Sequence, residues 1–473
     1  MGLEGRKVIL VSNAEPYAHK RKNGDIQLEK LAGGLTTALN PLMKETGGTW
    51  IAWGREDADF EVLNSENKVM VPDENGYELK RIKLTEQEVD NFYLGFSNEI
   101  LWPICHSFPE KARLNNFKNS KRKWKFYRNV NKKYSKFTLE EIERDDLVWA
   151  HDYHLSLLPK KIKEKKPETN IAFFWHIPWP PWEMFGLLPW REEIMKGLLS
   201  NNFLGFHTPK NEHNFLKCAE NLDMDVNWNK SKVKHKTGNT KVDSIPLGIN
   251  YDWFRNIAEK KRIRKKAAKL KEKIPAEKII LGIDRLDYTK GIPRRLRAFE
   301  MFLEENPEFQ GKVTLVQRIP PSRGSVKEYQ SILDRINKII GEINGKFEKA
   351  MWTPVKSFHR LLPSQEQLIP YYLAAEVALV TPLVDGMNLV CKEYIASTDD
   401  GVLILSEFAG AANELREAIL VNPYDVRETA ESIKKGLEMS NREKKRRMKR
   451  LQDRVKKNDL ENWRKNFLKK WLD

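Results

Sequence analysis

Short apolar runs, each ending in polar or small residues, recur along the chain and predict buried parallel β-strands. Stretches with helical spacing lie between them, and this alternation predicts an α/β fold with doubly wound sheets. In contrast, the polar and basic residues 13–29 predict a loop, and residues 84–91 predict a charged helix. The strands predicted in this way cover residues 7–12, 49–53, 146–150, 171–175, 202–207, 278–283, 313–317, 378–381, 403–406 and 419–423, and a further strand is predicted at the more polar residues 77–83.

The length of the chain indicates two domains, because 473 residues exceed what one ordinary hydrophobic core organises. The first series of strands ends near residue 247, and a lysine-rich helix over 258–273 precedes the second series. Near the end, Trp463, Phe467 and Trp471 recur every four residues and give one helix an apolar face. We therefore predict two domains and a terminal helix that packs on the first domain, at residues 1–247, 248–456 and 457–473.

Composition narrows the class of protein. The chain has 83 Lys and Arg against 66 Asp and Glu, which gives a formal charge of +17. We attribute this excess to a solvated, lysine-rich surface, because no nucleic-acid-binding module accompanies it. The positive field would favour an anionic substrate, but the charge alone identifies no partner. No apolar run of about 18 residues is present, so we expect a soluble, cytoplasmic protein that binds neither membranes nor nucleic acid. Three scattered cysteines predict neither a disulfide framework nor a zinc site.

The stretch from Thr381 to Glu393 combines an anion-binding turn with two carboxylates. It reads TPLVDGMNLVCKE and lies between a predicted strand and a predicted helix. Gly386 permits an unusual backbone conformation in the turn, and Asn388 is suited to cap the helix. Free N–H groups at a helix start can bind phosphate, while Asp385 and Glu393 can accept hydroxyl hydrogens. This combination suits a sugar attached to a nucleoside diphosphate.

Two further turns have residues that suit an anion. Residues 284–291 read DRLDYTKG after a predicted strand, where Arg285 and Lys290 can hold one anion from two sides. Residues 32–35 read AGGL before a predicted helix, a pattern that can cradle phosphate although it lacks the dinucleotide-binding spacing. A surface charge pair and a helix-packing glycine are the alternative interpretations of these turns.

Titratable residues follow two neighbouring strands of the first half. The sequence HDYH at 151–154 follows one strand and His176 follows the next, and open α/β sheets build their sites at such strand ends. These histidines could bind a metal, but no carboxylate or cysteine completes a usual set of ligands. The aromatic-rich segment 92–102 could supply walls for a sugar ring or belong to the core.

Taken in order, these motifs resemble the trehalose-6-phosphate synthase family of retaining glycosyltransferases over nearly the full length of the chain. Each motif is weak alone, but this many in one order make the likeness specific. The matching stretches are AGGL at 32–35, GFSN at 95–98 with LWP at 101–103, HDYH at 151–154, FWHIP at 174–178, DRLDYTKG at 284–291, SRG at 322–324, DGMNLV at 385–390 with KEY at 392–394, and FAGAANE at 408–414.

The resemblance implies the GT-B fold, in which two Rossmann-like domains face each other across a cleft and the final helix returns to the first domain. It implies a retaining transfer of glucose from a nucleoside diphosphate glucose, usually UDP-glucose, to glucose 6-phosphate, which gives trehalose 6-phosphate and UDP. No cofactor or metal is implied, because cationic side chains and a helix N-terminus stabilise the leaving diphosphate. A same-face mechanism is implied, in which the leaving phosphate takes the acceptor proton, unlike the paired carboxylates of hydrolases.

The resemblance also assigns roles to individual residues. Arg285 and Lys290 would stabilise the charge that develops on the diphosphate, and Asp152 would position the acceptor hydroxyl. The implied catalytic residues are Asp152, His176, Arg285, Lys290 and Asp385. The implied donor-binding residues are Gly34, Gly386, Met387, Asn388, Leu389, Val390 and Glu393. The implied acceptor-binding residues are Tyr93, Trp102 and Arg323.

Position 14 departs from the family pattern. The family usually reads Ser-Asn-Arg after the first strand, and that arginine grips the acceptor phosphate, whereas residues 12–14 here read SNA. Alanine offers nothing equivalent to the planar fork with which arginine binds phosphate. Three explanations stay open: Arg323 suffices with a basic residue at 20–22, the acceptor differs (glycerol 3-phosphate or a cyclitol phosphate), or Ala14 is an introduced change.

Two hypotheses belong to other classes. The chain could be a sugar-phosphate sensor without turnover, although Asp385, Glu393, Arg285 and Lys290 favour an enzyme. It could bind nucleic acid through its positive charge, which salt-sensitive DNA binding would reveal. A fused phosphatase is disfavoured, because the spacing in residues 284–289 differs from the Asp-x-Asp-x-Thr that such enzymes need. The sequence leaves open the base of the donor nucleotide and whether the chain forms a homo-oligomer.

Overall fold

The structure is a computed structural model that describes residues 3, 5–31, 34–71, 76–235, 238–320, 327–362 and 364–473. Its contacts divide the chain into two compact units. The first unit comprises Met1–Ile245 and Arg464–Asp473, and the second comprises Pro246–Trp463. The domain limits drawn from the sequence were residues 247 and 248, with a terminal segment from 457.

The first unit is built on a ten-stranded sheet with the order β10-β11-β12-β9-β8-β7-β1-β4-β6-β5. Its middle strands, from β12 to β6, are parallel, and antiparallel strands close the two edges. The central strands are apolar and fully buried, as expected for a sheet covered on both faces. The strands of this sheet are β1 (Val8–Val11), β4 (Thr49–Trp53), β5 (Lys68–Met70), β6 (Glu78–Ile82), β7 (Leu147–His151), β8 (Asn170–Phe174), β9 (Phe203–Phe206), β10 (Asp225–Asn227), β11 (Lys232–His235) and β12 (Gly238–Ser244). A separate two-stranded sheet contains β2 (Tyr17–Lys22) and β3 (Asp25–Lys30).

Helices separate these strands. One of them, over Val89–Leu101, is a π-helix, and it contains most of the aromatic-rich segment. The α-helices are α1 (Gly34–Thr46), α2 (Ala58–Glu61), α3 (Glu86–Glu88), α4 (Trp102–Cys105), α5 (Phe117–Glu141), α6 (Leu158–Lys163), α7 (Trp182–Phe185), α8 (Arg191–Leu198) and α9 (Pro209–Glu220).

Two local predictions in this unit need correction. Residues 13–29 were expected to form a loop, but β2 and β3 form an antiparallel hairpin there. Asn23 and Gly24 both have positive φ, 53° and 93°, which is the conformation that an Asn-Gly hairpin turn requires. The predicted helix at 84–91 begins at α3, where Thr85 forms a capping box, and then continues as the π-helix.

The second unit contains a six-stranded, fully parallel sheet with the order β15-β14-β13-β16-β17-β18. The chain leaves β13 towards one edge and returns to its other side at β16, so the strand order reverses between these two strands. Its strands are β13 (Lys278–Ile283), β14 (Val313–Arg318), β15 (Val355–Phe358), β16 (Val377–Val380), β17 (Val402–Ser406) and β18 (Ile419–Val421). Its helices are α10 (Tyr251–Glu259), α11 (Lys261–Glu272), α12 (Ile292–Glu305), α13 (Lys327–Phe347), α14 (Ile369–Ala374), α15 (Leu389–Ser397), α16 (Val426–Glu438) and α17 (Asn441–Lys457). The last helix, α18 (Leu460–Leu472), begins in this unit, and its residues from Arg464 onward belong to the first unit.

The end of α18 completes the core of the first unit. The Phe467 ring stacks on Trp149 with 4.3 Å between centroids, and Trp471 Nε1 donates to Asn170 Oδ1 at 2.8 Å. Among the helices that the structure describes, none is both long enough and apolar enough to cross a membrane.

Candidate functional site

The reversal of strand order in the second unit brings two of the predicted turns together. Residues 284–291 follow β13 and residues 381–388 follow β16, and these neighbouring strands are parallel. In open α/β sheets, ligands bind outside the carboxyl ends of the strands at such a reversal. The fold therefore places both turns where a ligand site is expected.

A direct ion pair joins the two turns. Lys290 Nζ lies 2.6 Å from Asp385 Oδ2, and Asn388 Nδ2 donates to the same oxygen at 3.1 Å. The Leu383 N–H also donates to the Thr289 carbonyl oxygen at 2.7 Å. Two residues predicted to be catalytic are thus in contact, and an amide and an ammonium group orient the carboxylate.

Arg285 presents a second cation on the first of these turns. Its side chain is exposed and, among the described residues, it makes no hydrogen bond or ion pair. Between it and Lys290, the Asp287 side chain accepts hydrogen bonds from the N–H and hydroxyl of Thr289, which fixes the shape of the turn. Arg285 is therefore available to an anion, as its predicted role requires.

A buried arginine on α12 supports the two turns by donating hydrogen bonds to both of them. Arg295 is 1% exposed and donates to Asp284, to Thr381 Oγ1 at 3.0 Å and to the Lys290 carbonyl oxygen at 3.4 Å. Burial raises the pKa of Asp284, and the charge of Arg295 opposes that rise. A single guanidinium thus bonds to Asp284 and Lys290 near the two ends of the first turn and to Thr381 at the start of the second turn.

The turn before α15 differs in one detail from the expectation. Asn388 caps α15, with its side chain accepting from the Cys391 N–H at 3.3 Å, as predicted. The unusual backbone conformation was expected at Gly386, but the positive φ of 74° belongs to Asn388. Asn tolerates positive φ better than most residues, because its short polar side chain can bond locally. The first N–H groups of Leu389 and Val390 follow directly.

The segment after β17 holds this turn in place. The Asp385 N–H donates to the Phe408 carbonyl oxygen at 3.2 Å, and the Gly410 N–H donates back to the Asp385 carbonyl oxygen at 3.1 Å. A Cβ atom on Gly410 would lie 2.0 Å from the carbonyl oxygen of Gly386. The FAGAANE motif, which had no predicted role, is therefore a support whose glycine allows the turn to approach closely.

Glu393 is a buried carboxyl on α15. It accepts hydrogen bonds from the Tyr372 hydroxyl at 2.6 Å and from Gln365 Nε2 at 3.2 Å. Burial raises its pKa to about 7, although both hydrogen bonds lower it. Its neighbour Lys392 is also buried, donates to the Leu247 carbonyl oxygen at 2.8 Å and pairs with Glu414. Glu393 can therefore change its charge near neutral pH.

In the first unit, Asp152 and His176 follow the adjacent strands β7 and β8. Asp152 has φ 72° and ψ 160°, its N–H donates to the Phe174 carbonyl oxygen at 2.9 Å, and its Oδ1 accepts from the Tyr153 N–H. His176 Nε2 lies 3.1 Å from His151 Nδ1. Burial lowers the pKa of both histidines well below its usual value, so they act as neutral hydrogen-bonding groups.

Aromatic rings connect the predicted acceptor residues. Tyr93 stacks on His154 with 5.7 Å between centroids, and His154 lies 4.0 Å from Tyr153. Tyr153 lies 5.8 Å from Trp102, which is 4% exposed and stacks on His106. Tyr93 thus lies at the partly exposed end of this row, and Trp102 lies at the buried end.

Two predicted positions lie at or beyond the edge of what the structure describes. Arg323, predicted to bind the acceptor, lies outside the described residues, as do two residues of the AGGL stretch. Gly34 is the first residue of α1, where free N–H groups begin.

Residues that bind metals are not clustered in the described part of the chain. No group of three or more His, Cys, Asp or Glu side chains there is placed to hold a metal ion. Cys105, Cys218 and Cys391 are buried free thiols. Independence from metals and cofactors stays a prediction.

Three supporting residues were not predicted from the sequence: Arg295, Tyr372 and Gly410. Only Gly410 lay within a recognised motif. Arg295 could have been suspected from a charge on the apolar face of α12, beside the buried Leu296. Tyr372 gave no signal, because the residue that it contacts, Glu393, is 21 positions away.

Two Rossmann-like sheets and a helix-start turn flanked by cations and carboxylates fit the GT-B glycosyltransferase fold that the sequence resemblance implies. Residues 6–472 match glycosyltransferase family 20, and the chain belongs to that family. The resemblance to trehalose-6-phosphate synthases is thereby confirmed.

Named relatives agree with this membership. The chain is 38% identical to a bifunctional trehalose-6-phosphate synthase/phosphatase of Thermoproteus tenax, over 98% of this chain and 63% of that protein. It thus spans less than two thirds of that relative. It is 38% identical to the UDP-forming alpha,alpha-trehalose-phosphate synthase of Candida albicans, over 98% of this chain and 96% of that protein.

Solved structures share the fold over the full length. An E. coli trehalose-6-phosphate structure bound with UDP-2-fluoro glucose has a TM-score of 0.88 and 32% identity, over 99% of each chain. A UDP-forming alpha,alpha-trehalose-phosphate synthase from Burkholderia xenovorans, in complex with glucose-6-phosphate, has a TM-score of 0.88 and 30% identity, over 99% of this chain and 100% of that chain.

Proposed function

We propose that this chain is a retaining glucosyltransferase that transfers glucose from UDP-glucose to glucose 6-phosphate and forms trehalose 6-phosphate and UDP. The main support is the contact of Lys290 with Asp385 beside the N-terminus of α15, at the reversal of strand order. The UDP-forming relative and the neighbour complexed with glucose-6-phosphate support the donor and the acceptor. Nothing among the relatives supports glycerol 3-phosphate or a cyclitol phosphate.

The donor side of the mechanism depends on charge. Negative charge develops on the diphosphate as the bond to glucose breaks, and fixed positive groups stabilise it without reorganisation. Lys290, Arg285 and the first N–H groups of α15 supply that positive potential. Asp385, oriented by Lys290 and Asn388, accepts from hydroxyls of the glucose, and Glu393 accepts from the ribose.

The acceptor side depends on orientation. Asp152 has one carboxylate oxygen engaged by the Tyr153 N–H and positions the acceptor hydroxyl with the other. His176 is neutral, so it hydrogen-bonds the donor sugar without adding charge. The acceptor hydroxyl oxygen bonds to the anomeric carbon on the same face from which the phosphate oxygen departs, so the configuration is retained. The departing phosphate oxygen takes the proton of that hydroxyl. No step in this scheme calls for a metal or a cofactor, and we keep the cytoplasm as the predicted location.

A coupled assay of UDP release tests the proposal. With UDP-glucose as donor, we expect release with glucose 6-phosphate and little with glycerol 3-phosphate, a cyclitol phosphate or glucose. Mass spectrometry identifies the product, and digestion by an anomer-specific trehalase after removal of the phosphate distinguishes retention from inversion. Binding of both substrates without UDP release would instead indicate a sensor, and preferred release with another phosphorylated acceptor would refute the acceptor assignment.

A further inference from the structure

Arg55 lies at the same sheet edge as Ala14, the position where the family pattern has an arginine. Strands β1 and β4 are parallel neighbours, with Val11 paired to Ile51. Ala14 follows the first strand and Arg55 follows the second, so both lie just past the carboxyl ends of adjacent strands. A direct contact confirms the proximity, because the backbone N–H of Arg55 donates to Oε1 of Glu15, the residue after Ala14, at 3.3 Å.

Two aromatic rings hold the Arg55 guanidinium. Its central carbon lies 4.9 Å from the ring centroid of Trp53 and 5.6 Å from that of Tyr93. The two rings contact each other edge to face, with 5.3 Å between centroids. Stacking of this kind orients a guanidinium while leaving its N–H groups free to donate. The cation is thus ordered before any anion arrives.

Carboxylates do not neutralise this cation. The Arg55 side chain is exposed, and among the described residues it forms no ion pair. The nearby acids Glu15 and Asp59 point instead at the buried Arg81, with Glu15 Oε2 2.8 Å from Arg81 Nε. Burial raises the pKa of Glu15 to about 8, and the charge of the neighbouring Arg81 opposes that rise. An exposed guanidinium with free N–H groups suits a phosphate, which accepts two parallel hydrogen bonds.

We propose that Arg55 binds the phosphate of the acceptor sugar and replaces the cation that is absent at position 14. This inference rests on the proposed function, because it names a residue for the phosphorylated acceptor of that reaction. Tyr93, predicted to hold the acceptor sugar, contacts Arg55 directly, so one side chain links the phosphate end to the sugar end.

Acceptor kinetics test the inference, with UDP-glucose held at saturation. We expect Arg55→Ala to raise KM for glucose 6-phosphate by about ten- to hundredfold, as expected for loss of a hydrogen bond to a charged group. KM for UDP-glucose should stay unchanged. Arg55→Lys should have an intermediate effect, because lysine keeps the charge but lacks the planar fork. Adding Ala14→Arg to Arg55→Ala should recover acceptor affinity.

The matched control is Arg128→Ala, which removes an exposed arginine of the same unit that pairs with Glu193. It should change neither KM. Calorimetric titration of the unreacted protein with glucose 6-phosphate and with glucose gives a second readout, and Arg55→Ala should weaken only the phosphorylated ligand.

The outcomes separate the two proposals. An unchanged KM for glucose 6-phosphate in Arg55→Ala, an equal rise for both substrates, or no recovery with Ala14→Arg would overturn the role of Arg55 while the proposed function stood. If the unmodified protein released no UDP with any sugar phosphate, the proposed function would fail. The titration would still decide whether Arg55 binds the phosphate.

Discussion

Glu393 differs from the other candidate site residues, because its carboxyl is buried and accepts hydrogen bonds from two donors. Its pKa is raised to about 7 by burial, although Tyr372 and Gln365 stabilise the charged form. A carboxylate accepts hydrogen bonds from ribose hydroxyls more strongly than a neutral carboxylic acid does. The charge of one side chain should therefore control donor affinity within the physiological range of pH.

Donor affinity should accordingly fall in acid. With a pKa of about 7, the ionised fraction of Glu393 drops from about nine tenths at pH 8 to about one tenth at pH 6. We expect KM for UDP-glucose to rise about tenfold over that interval. Glu393→Gln should remove most of this pH dependence, and Tyr372→Phe should move it to higher pH because a hydrogen bond that lowers the pKa is lost. A profile that is the same in Glu393→Gln and the unmodified protein would show that another group is responsible.

The pair of Lys290 and Asp385 offers a second test at the residue scale. Removing the ammonium group takes a fixed positive charge away from the diphosphate and removes the ion pair that helps to orient Asp385. We expect Lys290→Ala to lower the rate of UDP release by about 10²- to 10³-fold with an unchanged circular dichroism spectrum. Lys271→Ala is the control, because it removes an ion pair of 2.8 Å with Glu376 in the same unit. Near-normal turnover in Lys290→Ala would refute the donor site.

At the scale of elements, the turn before α15 depends on a neighbouring segment. Gly410→Ala would place a methyl group 2.0 Å from the Gly386 carbonyl oxygen, so the turn must move. Because a displacement of about 1 Å at a reacting centre can cost about 10²-fold, we expect a large fall in kcat/KM for UDP-glucose. Steady-state kinetics with each substrate varied in turn will check this.

The control for that change is Gly341→Ala on α13, where a Cβ would meet nothing within 4 Å. It should stabilise the helix by about 1 kcal/mol and leave the kinetics unaltered. Equal kinetic effects of the two substitutions would mean that Gly410 does not position the turn.

Elements buried on both faces were the ones that the sequence could predict. Strands such as β1, β7 and β13 are continuous apolar runs, because helices cover both faces of a parallel sheet. The β2–β3 hairpin was missed since β3 is mostly exposed and shows no apolar face. The Asn23-Gly24 pair, which is typical of a hairpin turn, was a better indicator of this hairpin than the pattern of hydrophobic residues.

The candidate site was predictable only in part, for a related reason. Lys290 and Asp385 lie in local motifs, each directly after an apolar strand. Arg295 supports both turns from a helix, and the charge of Glu393 depends on Tyr372, 21 residues away. Such contacts arise from tertiary packing, and the periodicity of hydrophobic residues along the chain does not predict them.

At the scale of the whole molecule, the last residues of the chain belong to its first unit. Phe467 is fully buried, stacks on Trp149 and lies 5.0 Å from the Phe203 ring. Gly205 makes room for it, because a Cβ there would lie 2.8 Å from Phe467. The C-terminal segment thus fills space that the sheet of the first unit leaves open.

Removing the Phe467 ring should therefore weaken the first unit selectively. We expect Phe467→Ala to cost about 3–5 kcal/mol, because a large buried ring is replaced by a cavity. Hydrogen–deuterium exchange should speed up in β7, β8 and β9, with β13 and β16 unaffected, since local stability follows local packing. Lys469→Ala, an exposed change on the same helix, should leave both units unchanged. Equal acceleration in both sheets would instead mean that the terminal helix stabilises the chain as one cooperative body, and no acceleration would mean that the first unit is complete without it.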